Sequence, residues 1–345
     1  MKTVSLDVHS ESSQLVAITE GGEVVLELQV ATDASELRRI IGGIPGPKRV
    51  VFEEGPMSGM IHDALAGIAD EIISCDPTRN ALIALSEHKT DEGDARRLAE
   101  LARLGSIREV YVPPEPYRTL RSLLVHDYHL MQRITGVKNR IKAMCRRHVI
   151  RYRGGSVYRS ANRGGVMERL PSAELRWQMG SLYRELDLFR RERVGTHRII
   201  RRICKGIPDV ALLMSIPGVG PITAQTIVAW LVDPRRFKSR NALGSYAGLG
   251  LSQGWTNWQP IGRAKASKRG QRMLKRVLFL AAYAAALRSG SALARRYQAR
   301  RDSGWEHKKA IRDVARKILN VAARICREGC AYDDTRVSVP DATSK

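Results

Sequence analysis

Several things are scarce in this 345-residue chain, and each scarcity excludes a class of protein. No apolar stretch is long enough to cross a bilayer: the longest, residues 277–287, has 11 residues where a spanning helix needs about 20. The amino-terminal run MKTVSLDVHSESSQ has neither an apolar signal core nor a small-residue cleavage site. Secretion and membrane insertion are therefore not expected, and a cytoplasmic setting is. Cysteine is sparse. Cys75, Cys145, Cys204, Cys326 and Cys330 form an odd, scattered set that cannot be a disulfide framework. Cys326 and Cys330 lie one helical turn apart, but zinc would need two further ligands and the nearest histidine is His307, so reduced buried thiols are the plainer reading. No internal repeat of fixed period stands out.

Acid is scarce in one part of the chain only. Residues 1–105 carry 10 Lys+Arg and 18 Asp+Glu, a net of −8. Residues 106–345 carry 48 and 17, a net of +31, so the chain as a whole stands at +23. A surplus of this size suits a polyanion, nucleic acid first and an anionic membrane surface second. The asymmetry implies a division of labour: the basic part holds nucleic acid, and the acidic part either repels it or holds divalent cations against it. With 43% hydrophobic and 27% charged residues the chain reads as globular, and its length suggests two or three domains.

Residues 2–8, 14–19 and 23–30 read as three strands of an antiparallel meander. A helix is expected over 33–42, with Asp33 or Ser35 at its start. Short strands are expected at 48–52, 71–75 and 109–112, and helices at 57–67, 78–86 and 91–104. Strands first, then alternating helices and strands, predict a mixed α/β sheet with helices packed on it over residues 1–112. Pro113-Pro114-Glu115-Pro116 is a rigid break. Residues 117–149 and 172–205 have helical apolar spacing and predict a long antiparallel hairpin, so 113–206 reads as a helical, coiled-coil segment. It is either a spacer or an arm for dimerisation or nucleic-acid clamping. The basic, Gly-rich residues 151–165 read as a loop between the two helices. Residues 207–330 read as a mostly helical domain, with helices over 209–232, 239–247, 270–290 and 303–328 and an irregular stretch over 248–270. Residues 331–345 are expected to be a disordered tail.

Four acids sit where a metal site would want them. Asp7 lies within the first strand, Glu53 at the carboxyl end of a central strand, and Asp91 and Asp94 one turn apart at the start of a helix. Such a set can hold one or two Mg²⁺ ions, which take hard oxygen ligands and leave positions for water and phosphate. Each acid also has a plainer reading. Asp91 complements the helix dipole, Asp94 is a surface residue, and of Glu53 and Glu54 one is a ligand and the other solvated. Asp7 is hardest to set aside, because an acid inside a strand costs stability unless it is paired or used.

Ser215-Ile216-Pro217-Gly218-Val219-Gly220, between two apolar helical stretches, fits a helix-hairpin-helix. Gly218 and Gly220 would allow a tight turn, and the N–H groups at the next helix start would face a phosphate. The alternative is a plain Gly-Pro turn. Further on, Trp255 and Trp258 are interleaved with Arg263, Lys265, Lys268, Arg269 and Arg272. Aromatics among cations suit base or sugar stacking together with phosphate contact, although tryptophan as core filler gives the same pattern.

Leu6-Asp7-Val8-His9, Glu53-Glu54-Gly55-Pro56 and Lys89-Thr90-Asp91 with Asp94-Ala95 come in that order. They are followed by Ile216-Pro217-Gly218-Val219-Gly220, Tyr246-Ala247-Gly248-Leu249 and Ser267-Lys268-Arg269-Gly270. In this order and spacing the chain resembles, over nearly its whole length, the RuvC-like (DEDD) insertion-sequence transposases of the IS110 family, including its IS1111 group. The resemblance implies a ribonuclease-H/RuvC-like domain over 1–112 with a DEDD metal site at Asp7, Glu53, Asp91 and Asp94 and Mg²⁺ as cofactor. It implies a coiled-coil middle and a carboxyl-terminal transposase domain. It implies a recombinase, nucleoid-associated, that mobilises its own element by cutting and rejoining DNA. Partners would be DNA, a guide (bridge) RNA and further copies of the chain, as a dimer or tetramer.

The family carries a serine nucleophile about ten residues before Ser-Lys-Arg-Gly, contributed by a different subunit from the acids. Here Thr256 stands at that spacing and Ser252 is four residues earlier. Either Thr256 replaces the serine, Ser252 acts through a shifted loop, or this copy is impaired. Arg263, Lys268 and Arg269 would then steady phosphate charge. Two other functions fit the same features: a structure-selective endonuclease that hydrolyses DNA with the four acids alone, and a non-catalytic nucleic-acid-binding protein.

Overall fold

The structure, a computed structural model, describes residues 1–76, 91–256, 259–266, 270–288 and 290–340. The chain divides into two compact units, Met1–Glu115 and Pro116–Lys345.

The first unit is built on a six-stranded mixed sheet. The three alternating runs form β1 (Lys2–Val8), β2 (Ser12–Ile18) and β3 (Val24–Ala31), paired antiparallel as a meander. Helix α1 (Ala34–Gly43) follows. It starts where Asp33 accepts hydrogen bonds from the Ser35 and Glu36 N–H groups, which satisfies donors that a helix start would otherwise leave open. The chain then enters β4 (Lys48–Glu53), α2 (Ser58–Leu65) and β5 (Glu71–Cys75), and later α3 (Asp91–Arg103) and β6 (Glu109–Val110). The strand order is β3-β2-β1-β4-β5-β6, with β4 parallel to both β1 and β5, and β6 antiparallel to β5. The helix expected over 78–86 lies outside the described residues.

Strand alternation sorts the sheet into two faces. Val4, Leu6, Val50 and Phe52 pack with Leu37, Ile41, Ile61 and Leu65 of α1 and α2. The opposite face receives α3. Ala95 and Ala99 pack on Val16 and Ile18, and Leu98 and Ala102 on Val51 and Cys75. Alanine at the contact lets the helix lie close to the sheet.

Among its described residues the second unit is helical apart from one strand pair. Helices α4 (Tyr117–Arg147) and α6 (Ala173–Cys204) lie antiparallel. Asp127 meets His197 and Arg193, while farther along α4 Arg140 meets Glu185. The hairpin is held at both ends by different cores. Ile134, Val137, Ile141 and Met144 pack on Met179, Leu182 and Leu186, whereas Leu120, Leu124, Ile200 and Cys204 belong to the core of the helices that follow. Those are α7 (Asp209–Leu213), α8 (Pro221–Leu231), α9 (Arg240–Tyr246), α10 (Arg272–Ala286), α11 (Ala292–Asp302) and α12 (His307–Glu328). Helix α8 is buried from Ala224 to Leu231, which makes it the centre of the unit. Its last carbonyls are capped by cations: Arg121 donates to Ala229 O at 2.8 Å and Arg236 to Trp230 O at 3.1 Å.

Four expectations need correction. The loop over 151–165 instead holds a 3-10 turn at Ser156–Tyr158 and helix α5 (Ser160–Glu168). Local composition was overridden there by burial of Val157, Tyr158 and Val166 and by the Arg163–Asp187 ion pair. The irregular stretch over 248–270 forms strands β7 (Leu251–Thr256) and β8 (Gln259–Ala266), paired antiparallel. Helix α11 was not expected, and α12 starts at His307. The tail is packed as far as Val337, which is buried. Tyr332 N–H donates to Ser215 Oγ at 2.8 Å, and Arg295 meets Asp334 at 2.9 Å.

Candidate functional site

The register of the sheet places two of the four acids. Leu6 pairs with Phe52 in parallel strands, so the next residues, Asp7 and Glu53, reach the carboxyl ends of neighbouring strands together. Both alternate onto the face covered by α3, because Ser5 and Val51, two residues earlier, point there. The carboxyl ends of parallel strands are where mixed α/β sheets gather their chemistry, since no further strand residue blocks access.

Helix α3 is tied to this end of the sheet. Ser5 Oγ donates to Ala95 O at 2.6 Å, and both groups are buried. Asp94, the neighbour of Ala95, is thereby brought over the strand that carries Asp7. Two contacts hold the rest of the helix: Arg96 bonds Glu27 of β3 at 3.0 Å, and Arg103 donates to Glu20 O, just past β2, at 3.3 Å. The guanidinium of Arg96 holds the Glu27 carboxyl below the usual carboxylate range. Ser5 was not singled out from sequence. The signal was there, in a hydroxyl two residues before a strand acid and thus on the same face.

Asp7 is partly buried and lies 3.4 Å from His9 Nε2. Asp94 meets Arg97 Nη1 at 3.1 Å. Glu53 is exposed. The Asp91 side chain lies outside the described ones. Among the described residues no three His, Cys, Asp or Glu side chains come together as a metal-holding group, so Asp7, Glu53 and Asp94 do not form one by themselves. The donor set is all carboxylate, which suits a hard divalent cation and not a thiophilic one.

In the helical unit the glycines of the expected hairpin turn out to serve packing first. Gly218 has φ +86, and a Cβ there would meet Ala281 O at 2.3 Å and Ala285 N at 2.7 Å. The turn is pressed against α10, so glycine is required by close approach whatever the turn binds. Gly220 is different. A Cβ there would meet nothing within 4 Å, and Gly220 caps the start of α8 without a side-chain bond.

A second close approach closes the base of the β7–β8 hairpin. Gly270 has φ +104, and a Cβ there would lie 2.4 Å from Gly248 N. Gln271 N–H donates to Tyr246 O at 2.8 Å, and Trp230 Nε1 donates to Gln271 Oε1 at 3.1 Å. The strand pair therefore leaves and rejoins the helical core through one pinched neck. Ser252 pairs with Lys265 next to that neck, and Thr256 pairs with Gln259 at the far end. At about 3.3 Å per residue the two hydroxyl-bearing residues stand roughly 13 Å apart along the strand. Trp255 pairs with Pro260, and Arg263 lies on β8. Trp258, Lys268 and Arg269 lie outside the described residues. Arg272 is exposed at the start of α10. Among the described residues no helix is long and apolar enough to cross a membrane.

Comparison with known proteins covers both units. A transposase family model, DEDD_Tnp_IS110, matches residues 4–150. A second, described as the transposase IS116/IS110/IS902 family, matches residues 210–298. An insertion element IS110 protein of 43.6 kDa from Streptomyces coelicolor is 24% identical over 96% of this chain and 95% of its own length. The transposase for insertion sequence element IS1111A from Coxiella burnetii is 26% identical over 81% of this chain and 76% of its own. The mini-circle transposase for IS117 from Streptomyces coelicolor is 29% identical over 52% of this chain and 43% of its own.

Proposed function

The chain belongs to the IS110 family of insertion-sequence transposases, and from that premise we propose that it cuts and rejoins DNA with an acid cluster in its sheet unit and a hydroxyl nucleophile on its β7–β8 hairpin. One observation carries the first half of the reading. Asp7 and Glu53 end adjacent parallel strands on the face under α3, the helix that carries Asp91 and Asp94. The strand order β3-β2-β1-β4-β5, with a meander followed by parallel strands, supports a ribonuclease-H/RuvC-like sheet. Asp7, Glu53, Asp91 and Asp94 would hold Mg²⁺, which when bound supplies Lewis-acid activation of a phosphoryl group.

The protein's own part is placement. Ser5 fixes α3 against β1, and the sheet fixes the separation of Asp7 from Glu53. In the chemical step a hydroxyl oxygen of Thr256 or Ser252 attacks phosphorus. One P–O bond forms to the side chain, the bond to the departing deoxyribose oxygen breaks, and that oxygen takes up a proton. Rejoining reverses the exchange on a second DNA end, so no external energy source is needed. Thr256, at the spacing of the family's serine, is the preferred of the two positions. Arg263, Lys265, Lys268, Arg269 and Arg272 would hold the DNA, with Trp255 and Trp258 stacking on it. Gly220, at the start of α8, would complete a helix-hairpin-helix contact with a phosphate. A guide RNA and assembly of several copies belong to this reading through the family resemblance, and the charge of the second unit supports a nucleic-acid partner of either kind.

A covalent trap tests the proposal. The protein is incubated with Mg²⁺, its element's end DNA and the adjoining non-coding RNA, then denatured and examined for protein-linked DNA. A linked band lost in Thr256→Ala and kept in Ser252→Ala is expected; the reverse assigns Ser252. Cleaved DNA without any linked protein would overturn the nucleophile and leave a hydrolytic nuclease.

A further inference from the structure

A cavity of about 430 Å³ opens in the helical unit between the segment leading into α9 and the second half of α12. Its walls carry Lys238, Arg240, Lys317, Arg324 and Arg327. The one acid in the lining, Glu328, is engaged by Arg336 at 2.9 Å. Among the described residues the wall is therefore cationic with no acid left over to balance it.

Arg324 is the informative residue. Its Nε and Nη2 are closed off from solvent and have no hydrogen-bond acceptor among the described residues. A guanidinium is always charged and offers five donors in a rigid fork. Buried donors without an acceptor are uncommon, and the charge they carry is left uncompensated in the wall of the cavity that Arg324 lines. Lys317 lies two turns earlier on the same helix and donates to Ser338 Oγ at 3.1 Å. Burial, then Arg296, Arg324 and Arg240, holds its ammonium below the ordinary lysine range. Asp313 acts on Lys317 in the opposite sense, but its carboxylate is already shared between Arg296, at 2.6 Å, and Arg300, at 3.5 Å. Like charges gathered into a concave wall repel one another. The repulsion becomes attraction once an anion enters.

We infer that this cavity seats a backbone phosphate of a DNA strand, with Arg324 and Lys317 at its floor and Lys238, Arg240 and Arg327 at its mouth. A guanidinium fork matches two phosphate oxygens at once. Phe237, the aromatic ring in the wall, is stacked under Arg236 at 4.1 Å, so recognition here falls to charge and reads backbone, not base. The inference rests on the reading of the chain as one that acts on DNA. It adds a phosphate seat built from α12, outside the β7–β8 hairpin and the α8 turn.

The test uses the full chain, a labelled 20-base-pair duplex of mixed sequence and EDTA, so that no cleavage intervenes. Affinity is measured across a salt series for the wild type, Arg324→Gln and Lys317→Gln, with melting temperatures recorded with and without pyrophosphate. Each variant should bind about five- to tenfold more weakly, and its log–log salt slope should fall by about one, the share of one phosphate contact. The ligand-free melting temperature should hold or rise, because a repulsive charge has gone. Unchanged affinity and slope in both variants would overturn the inference. So would a pyrophosphate-induced rise in melting that Arg324→Gln abolishes while duplex binding stays intact, because the cavity would then serve a small phosphate. Should Arg324→Gln melt early, Lys317→Gln decides alone. Asp7→Asn, assayed separately for cleavage with Mg²⁺ in place of EDTA and the element's end DNA, separates the two proposals: if it cuts that DNA normally the metal-site reading fails, and the binding result stands by itself.

Discussion

The two units achieve precision by different means. Residues 1–115 carry a net charge of −9 and place their acids by strand register, so that one hydrogen-bonded ladder fixes Asp7 against Glu53. Residues 116–345 carry +32 and place their basic segments by close helix contact, through glycines and alanines that let backbones touch. A sheet tolerates side-chain change at an exposed strand end because its ladder is made of backbone. A glycine contact tolerates none. Damage to the first unit's acids should therefore cost chemistry without binding, and damage to the second unit's contacts should cost folding and binding together.

The strongest test of that contrast is Asp7→Asn. It keeps the shape and removes the charge, and strand cleavage should fall by at least about a hundredfold, since even supporting residues of metal sites cost 10–100-fold. DNA affinity in a filter or fluorescence assay should stay within about twofold, because phosphate contacts fall to the cations of the second unit. Loss of binding would make Asp7 structural and erase the contrast.

Next in size is Gly218→Ala. It forces an L-residue to φ +86 and drives a Cβ into the backbone of α10. A loss of about 2–4 kcal/mol is expected in denaturant titration. A stable variant that binds DNA poorly would instead return Gly218 to a phosphate-contacting role.

Asp127→Ala probes the hairpin. The carboxylate is buried and accepts from Arg193 at 2.8 Å and from His197 at 2.6 Å, while both partners are about a third exposed. Removing it should destabilise the helical unit by roughly 2–3 kcal/mol, below the full cost for a wholly buried cluster. Hydrogen exchange should loosen along α4 and α6 and stay unchanged in β1–β5; spread into the sheet would show that the ion pair serves more than the helical hairpin.

Ser5→Ala sharpens the first half of the contrast. Loss of the buried bond to Ala95 should cost about 1–2 kcal/mol. Cleavage should fall further than that stability loss explains, because α3 would no longer be pinned at the residue next to Asp94. Equal activity would show that the helix needs no such tie.

The last test is one of pH, and its effect is confined to alkaline solution. Burial pushes the Cys326 thiol from 9.0 up to about 12, with Asp209 beside it adding to the shift. Between those values the unfolded chain has lost the thiol proton and the folded chain keeps it. Stability therefore falls as pH rises, by at most about 1.4 kcal/mol per unit. Cys326→Ala should have a flatter stability profile from pH 9 to 12 than the wild type. Superimposable profiles would show that the thiol is not shielded.

Much of the fold was legible because periodicity reports burial. The alternation in β1–β3, the Asp33 cap and the apolar stripes of α4 and α6 all follow from which side of an element faces the core. The acids were legible as candidates for the same reason, since a strand acid stands out against its apolar neighbours. Residues 151–165 were not legible. Their glycines and arginines look like loop, and only Val157 and Val166 reaching the hairpin core, with Arg163 on Asp187, make them helical. The strand pair over 251–266 was hidden in the same way, because its glycines and cations mask the alternation and its neck depends on Gly248 meeting Gly270, 22 positions away in sequence.

Sequence by itself determined the charge division, the break near residue 115, the element types with strong periods and the family, because each is written in residue types at short spacing. Tertiary structure alone decided that Ser5 holds Ala95, that Gly218 is pressed onto α10, and that Arg324 and Lys317 share a cavity with Lys238 and Arg240. Those facts are distances between residues far apart in the chain. They are set by how the elements pack, and no local pattern encodes them.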